Sequence, residues 1–300
     1  MKKNRIICTT LEDKYTKGIT PIINELKDSK DNLLVIDNNL NVYNTFKKEL
    51  NNKYKLVTFG LTGETNESKR DLLELVYDLY KEGKTSIAFE TLNDFSNVIF
   101  KDNAIDPFWN ESASSLFIGA SLYMFKTSDK ASFMDIYNIV NYFSDEGKLE
   151  LAKYIEESKD TDISMYLDGL IKMPQETKGG VVATFNQKLR NIAFRMKNIN
   201  IDFDLNSEST AYIIRDYKES FSKEARLIYI FLKRMASINN KHLNIVLPSV
   251  DTIENIEEFK TEFNSGPTTN VTYYLVTNSL DYLKEKFSSL IEAVSEIKNA

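Results

Sequence analysis

The chain has 300 residues, of which 42% are hydrophobic and 12% aromatic, enough for one large domain or a domain carrying an insertion, and this excludes disorder or a fibre. A net charge of −6 (38 basic against 44 acidic residues) provides no overall field favouring nucleic acid, so DNA contact would need a local basic patch. Cys8 is the only cysteine and His242 the only histidine, which rules out an internal disulfide and disfavours zinc sites and histidine-based catalysis.

Along the chain, short apolar runs first alternate with amphipathic stretches, the pattern of parallel strands joined by crossover helices. Arg5 to Cys8 reads as a strand, Leu33 to Ile36 as a second ending at Asp37, and Lys55 to Phe59 as a third. Helical spacing covers Lys17 to Leu26, with Pro21 ending or kinking its first turn, and Tyr43 to Leu50. From about Ser68 to Ser207 helical periodicity takes over. Asp106 is placed to cap a helix whose first position is Pro107, with Trp109, Ala113, Leu116, Phe117, Ala120 and Tyr123 on one stripe. Phe133 to Phe143 and Leu149 to Ser158 predict two more helices, and Gly179-Gly180 a break before another over Val181 to Met196. Strands return at Ala211 to Ile214, Leu243 to Leu247 and Val271 to Val276. Between and after them, helices are expected at Lys223 to Met235, Ile253 to Phe263 and Leu280 to Ile297. The organisation expected is an α/β core in two parts, residues 1–67 and 208–300, sharing one mainly parallel sheet and interrupted by an all-α insertion over 68–207.

No apolar run approaches the roughly 18 to 20 residues of a membrane span, and the start, Met1-Lys2-Lys3-Asn4-Arg5, leads into three apolar residues rather than a signal-peptide core. The expectation is a cytoplasmic protein that reaches a membrane only through partners.

The segment Cys8-Thr9-Thr10-Leu11-Glu12-Asp13-Lys14-Tyr15 follows a strand and precedes a helix, the place of a phosphate-binding loop of pattern G-x-x-x-x-G-K-[ST]. In such a loop the glycines let backbone N–H groups close around phosphate oxygens and the final hydroxyl reaches magnesium. Here Cys8 and Asp13 replace the glycines, Tyr15 replaces the hydroxyl residue, and only Lys14 remains. Asp13 would repel a phosphate by several kcal/mol at roughly contact distance unless water screened it. A nucleotide-hydrolase fold that has lost its chemistry is expected.

The run IDPFWNESASSLFIGASLYMF (Ile105 to Phe125) resembles the helical-domain signature of the type IV secretion coupling proteins, the TraG/VirD family of conjugative DNA-transfer ATPases. Leu33 to Tyr43 (LLVIDNNLNVY) is similar to the family's strand-and-turn segment D-P-K-G-E-L-Y, with Asp37 and Tyr43 retained, and KGGVVATFNQKL (Lys178 to Leu189) to its K-G-S-V helix start. Pro21, seven residues beyond Lys14, matches the proline after the family's phosphate loop. The resemblance implies a RecA-like P-loop NTPase core with a helical insertion. It also places departures. Where the family ends a Walker B strand in Asp-Glu, this chain has Leu247-Pro248-Ser249, with Asp251 the next acid, and Thr277 follows the strand that carries the family's sensing glutamine. The family's membrane-spanning N-terminus has no counterpart, and the chain stops soon after the Thr277 strand.

The resemblance therefore implies a degenerate member: a catalytically inactive structural or adaptor subunit in conjugative DNA transfer or type IV secretion. Its partners would be secretion or conjugation components, among them an intact coupling ATPase or a relaxase, and no cofactor is expected. An alternative is a weak ATPase that holds ATP with Lys14 and magnesium with Asp251 or Glu254, the vestigial nucleotide residues being Thr9, Thr10, Lys14, Tyr15 and Asp37. Another is a single-stranded DNA binder using Lys188, Arg190, Arg195 and Lys197 on phosphate. Each residue also has a plainer reading: Lys14 as a solvated charge beside Lys17, Asp37 as a turn or cap with Asn38 and Asn39, and Lys188 to Lys197 as a solvated helix face near Asp202 and Asp204. Phe108 and Trp109 read either as a docking surface or as core, and His242 as an ordinary surface or half-buried side chain. Arg226 suggests a finger to a neighbouring subunit, with nothing to stabilise.

Overall fold

The structure is a computed structural model that describes residues 4–37, 40–50, 53–60, 71–102, 105–142, 147–196, 209–215, 222–252, 270–286 and 296–299. Its first part runs β1 (Arg5–Cys8), a π-helical turn (Lys14–Ile19), α1 (Thr20–Leu26), β2 (Asn32–Asp37), α2 (Leu40–Leu50) and β3 (Lys55–Gly60). Seven helices follow among the described residues: α3 (Leu72–Lys81), α4 (Thr85–Phe100), α5 (Phe108–Thr127), α6 (Phe133–Tyr142), α7 (Gly147–Ser158), α8 (Thr161–Lys172) and α9 (Gln175–Met196). The last part runs β4 (Thr210–Arg215), α10 (Lys223–Ile238), β5 (Leu243–Leu247), a short 3-10 turn (Val250–Thr252), β6 (Val271–Thr277), α11 (Leu280–Lys286) and β7 (Glu296–Asn299).

The seven strands form one sheet in the order β3-β4-β2-β5-β6-β1-β7, with every pairing parallel. Both sequence halves thus share a sheet. Strands β4, β5 and β6 are buried along their whole length, which is why they read as near-continuous apolar runs rather than as alternating ones. On one face Ile7, Val35, Ile213, Val246 and Val276 pack with Ile22, Ile23 and Leu26 of α1 and with Val42, Phe46 and Leu50 of α2. The chain divides into two compact units. One comprises Met1–Glu64, Asp202–Ala225 and Leu232–Ala300, the other Thr65–Ile201 with Arg226–Phe231.

Within the helical unit α5 is the central element. Asn110, Ala113, Leu116, Phe117, Ile118, Gly119, Ala120, Ser121, Leu122 and Phe125 are all buried, so the single stripe expected from periodicity becomes a helix enclosed on most sides. Its neighbours α3, α4, α6, α8 and α9 account for that burial. Ring contacts run from Phe133 to Phe117 (6.0 Å), Phe117 to Phe100 (5.8 Å) and Phe100 to Phe185 (5.8 Å), linking α6, α5, α4 and α9. The cap is where the sequence placed it: Asp106 Oδ1 accepts from Phe108 N at 3.0 Å, and Pro107 has helical dihedrals although the helix is assigned only from Phe108.

Two expectations are corrected. Gly179-Gly180 does not break a helix, because α9 runs through both residues to Met196. A Cβ on Gly180 would overlap the Trp109 ring, so the glycine admits the indole against the helix backbone, and this packing offsets its roughly 1 kcal/mol propensity cost. The last predicted helix, Leu280 to Ile297, is also too long. Its described part ends at Lys286, and Glu296–Asn299 instead form β7, paired in register with Arg5–Cys8. Backbone pairing on the outer side of β1 satisfies N–H and C=O groups that a helix could not. The helix expected at Ile253 to Phe263 lies outside the described residues.

At Gly119 of α5 the Leu167 side chain of α8 packs directly on the helix backbone, since a Cβ there would overlap it. Gly119→Val is expected to destabilise the helical unit by about 1–3 kcal/mol through overpacking, measured by chemical denaturation followed through the fluorescence of Trp109, the single tryptophan.

Candidate functional site

In a parallel α/β sheet, ligand sites lie beyond the carboxyl ends of the strands. Here β1 sits beside β6, and β6 beside β5. The loop after β1, the segment after β5 and the turn after β6 therefore meet at one edge. Cys8 is level with Thr277 in the register, and Thr9 N donates to Thr277 O at 3.0 Å. Asp251, in the 3-10 turn after β5, completes the junction: its carboxylate accepts from the Thr277 hydroxyl and, at 2.8 Å, from Asn278 N. Thr277 is buried, and its Oγ1 also receives Ser279 N at 3.0 Å.

The loop after β1 closes on itself. Thr10 Oγ1 accepts from Asp13 N at 3.2 Å and lies 3.3 Å from Asp13 Oδ2, while Lys17 Nζ pairs with the same carboxylate at 3.1 Å. Thr16 Oγ1 and Lys17 N both donate to Asp13 O, at 3.3 and 2.8 Å. Asp13 occupies the cap position of the π-helical turn, yet its carboxylate accepts no N–H of that turn. Residues 9–13 all keep negative φ, so the loop has a shape that residues with side chains adopt readily.

The π-helical winding has two local causes. Pro21 stands at the start of α1 and has no N–H to donate to the preceding turn. The carbonyl of Tyr15 takes up the slack, accepting both Thr20 N and, at 2.8 Å, Thr20 Oγ1. Gly18 lets the turn lie on the sheet, since a Cβ there would come within 2.9 Å of Val276 Cγ1. The sequence reading of a plain helix from Lys17 missed this winding, for which Pro21 was the available signal.

The sequence-selected residues are distributed unevenly. Thr9 is buried, with an Oγ1 that finds no hydrogen-bond partner among the described residues, and Thr10 is exposed. Lys14 is half-buried at the first position of the π-helical turn. Tyr15 packs against the apolar cluster under the sheet. Asp37 ends β2, opposite Arg215 in register. Three strand spacings, roughly 14 Å, separate that strand from β1, so Asp37 and the Thr9 to Tyr15 loop are not neighbours along the edge. Arg215 is buried and lies over the Tyr43 ring at 4.7 Å, a cation–π contact that the sequence reading did not find.

On α9, Lys188 is committed to its own unit: Nζ donates to Phe100 O at 2.8 Å and to Asp102 Oδ2 at 2.5 Å, and only 13% of its side chain is exposed. Arg190 is exposed, Arg195 half-buried, and Lys197 and Glu254 lie outside the described residues. His242 Nε2 meets Thr272 Oγ1 at 3.0 Å at the opposite, amino edge of the sheet. Arg226 is half-buried, its guanidinium pKa lowered by burial. Among the described residues no group of three or more His, Cys, Asp or Glu could hold a metal ion, and no helix is long and apolar enough to cross a membrane.

Comparison with known proteins bears on this arrangement at two levels. Solved structures of a conjugative coupling protein share the fold. The plasmid coupling protein TrwB in complex with ADP and Mg2+ matches at a TM-score of 0.60 and 9% identity, over 98% of this chain and 69% of that one. The unbound monoclinic form of the bacterial conjugative coupling protein TrwBdeltaN70 matches at 0.61 and 8%, over 98% and 67%. TrwB with the non-hydrolysable GTP analogue GDPNP matches at 0.60 and 9%, over 98% and 69%. The likeness identifies the sheet and its flanking helices as a RecA-like P-loop NTPase fold. No curated protein matches in sequence. A sequence model described as Type IV secretory system Conjugative DNA transfer matches residues 17–207, beginning after the Asp13 loop and ending before β4, so the match rests neither on that loop nor on the segment after β5. With well over half of its length matched, the chain belongs to the type IV secretory system conjugative DNA transfer family.

Proposed function

We propose that this chain is a non-hydrolysing member of its family, a structural or adaptor subunit that assembles with other components of a conjugation or type IV secretion system. The observation that carries the reading is the self-closed loop after β1, in which Thr10 and Lys17 engage the Asp13 carboxylate of the same chain. A triphosphate approaching this turn meets a carboxylate already paired with Lys17 instead of a ring of N–H groups. Magnesium fares no better. Tyr15 faces the apolar cluster, Pro248-Ser249 follow β5 with no acid, and Asp251 is engaged by Thr277 and Asn278. The residues present therefore do not fit a magnesium nucleotide, and the reading routes no step through one. The related TrwB structures hold ADP with Mg2+ or GDPNP, which makes nucleotide the ligand to test.

Titration of the purified chain with labelled ATP and magnesium is expected to show neither saturable binding nor turnover. Micromolar binding with hydrolysis that disappears in Lys14→Ala would instead establish a working site and defeat the adaptor reading. Asp251→Ala separates the two readings independently. As an internal tie it should cost only about 1 kcal/mol, because the Thr277 hydroxyl can still donate to Ser279 O and the exposed Asn278 N–H can turn to water, with the nucleotide signal staying at background. As a metal ligand it would instead abolish hydrolysis while leaving the denaturation midpoint nearly unchanged.

A further inference from the structure

Strand β5 carries an amide among apolar neighbours. Asn244 is 0% exposed, and its register partners are Leu33 of β2 and Thr272 of β6. Val246 and Tyr274, two positions further along β5 and β6, pack in the apolar cluster with α1, so the period of two puts Asn244 and Thr272 on that same face. The place they form lies at the amino edge, the opposite end of the sheet from the Asp13 loop. Asp31, just before β2, closes it: Asn244 Nδ2 reaches Asp31 Oδ2 at 3.5 Å, and Ser29 Oγ donates to the same oxygen at 2.7 Å. The amide is only half satisfied. Its Oδ1 accepts from no described residue, and two hydroxyls of the site have other partners, Ser29 Oγ on Asp31 and Thr272 Oγ1 on His242 Nε2 at 3.0 Å. Turning the amide over would set Oδ1 against the Asp31 carboxylate, two acceptors face to face, so charge fixes its orientation.

We propose that Asn244 and Asp31 form a binding site for one buried water, which donates one hydrogen to Asn244 Oδ1 and the other to the Asp31 carboxylate. A fully buried acceptor beside a carboxylate calls for a small ligand with two hydrogens to give, and water is that ligand. The bridge completes what the direct contact begins, since 3.5 Å is long for an amide on a carboxylate and leaves the pair loosely joined. Its effect is to tie β5, an interior strand, to the turn between α1 and β2. A metal cation suits the place less well. The Nδ2 hydrogens of Asn244 already point at the carboxylate that would hold it, and no group of three or more His, Cys, Asp or Glu gathers among the described residues.

Water–protein Overhauser spectroscopy of the full chain, labelled with nitrogen-15 at asparagine, reads this directly. The Asn244 side-chain amide protons are expected to give a cross peak to water with the sign of a molecule that tumbles with the protein. Hydroxyl protons that exchange with solvent can imitate such a peak, so it must persist in Ser29→Ala and in Thr272→Val. In Asp31→Ala the water loses its second acceptor, and the peak is expected to disappear. No peak in the unaltered chain, loss in either hydroxyl variant, or survival in Asp31→Ala overturns the proposal. Should a variant fail to fold, a high-resolution crystal structure of the unaltered chain decides. A water oxygen about 2.7–3.1 Å from Asn244 Oδ1 supports the site. A cation at about 2.3–2.6 Å, or a protein donor on Oδ1, removes it.

Discussion

The carboxyl edge of the sheet is organised around one residue, Thr277. Its carbonyl receives Thr9 N–H, its hydroxyl is donated to Asp251, and its Oγ1 caps Ser279. Three loops that leave β1, β5 and β6 are thereby tied through a single buried position. Parallel pairing makes this possible, because it brings every carboxyl end to one edge and leaves the last carbonyl of β6 for the loop after β1. The register decides the rest: with Cys8 level with Thr277, the chain turns at Thr9 and has only a short loop in which to begin the next helix.

That helix begins under strong constraints. Gly18 lies against Val276, Pro21 withholds an N–H, and the turn widens to π-helical winding so that Tyr15 O meets both Thr20 donors. The same winding accompanies the seating of Tyr15 in the apolar cluster. A loop with glycines at the places of Cys8 and Asp13 would be free to wrap its N–H groups around an anion. This one follows ordinary side-chain-bearing geometry and gives its hydroxyl and ammonium partners to Asp13.

The helical unit follows a separate logic. Its centre, α5, is surrounded by other helices, and small residues set the distances: Gly119 under Leu167, Gly180 under Trp109. Polar ties hold the ends of the helices. Asp102 accepts from both Asn110 Nδ2, at 2.6 Å, and Lys188 Nζ, so the end of α4, the start of α5 and the middle of α9 are joined. Lys188 therefore serves the fold, whereas Arg190, two residues on, faces solvent.

The elements were legible in the sequence wherever their signal is local. The apolar runs of β1 to β6, the Asp106 cap and the helical periodicity of the insertion depend on residues within a few positions of one another. So do the missing glycines of the loop after β1, since the requirement for them is a matter of backbone sterics. Other features depend on groups far apart in the chain. Gly180 read as a helix breaker until Trp109 lay against it, and residues 296 to 299 read as helix until β1 offered an edge. Asp251 read as a spare metal ligand until Thr277 and Asn278 took its oxygens, and Asp71, whose spacing to Glu74 marks only a helix start, showed nothing of its second partner until Phe133 N arrived from 62 positions away. The sequence by itself determined the fold class, the run of helices between β3 and β4 and the absence of glycine from the loop after β1, because propensity and periodicity act over a few residues. Only the tertiary structure decided which polar groups are already engaged and where glycines serve packing, because burial and hydrogen bonding depend on what the rest of the chain brings alongside.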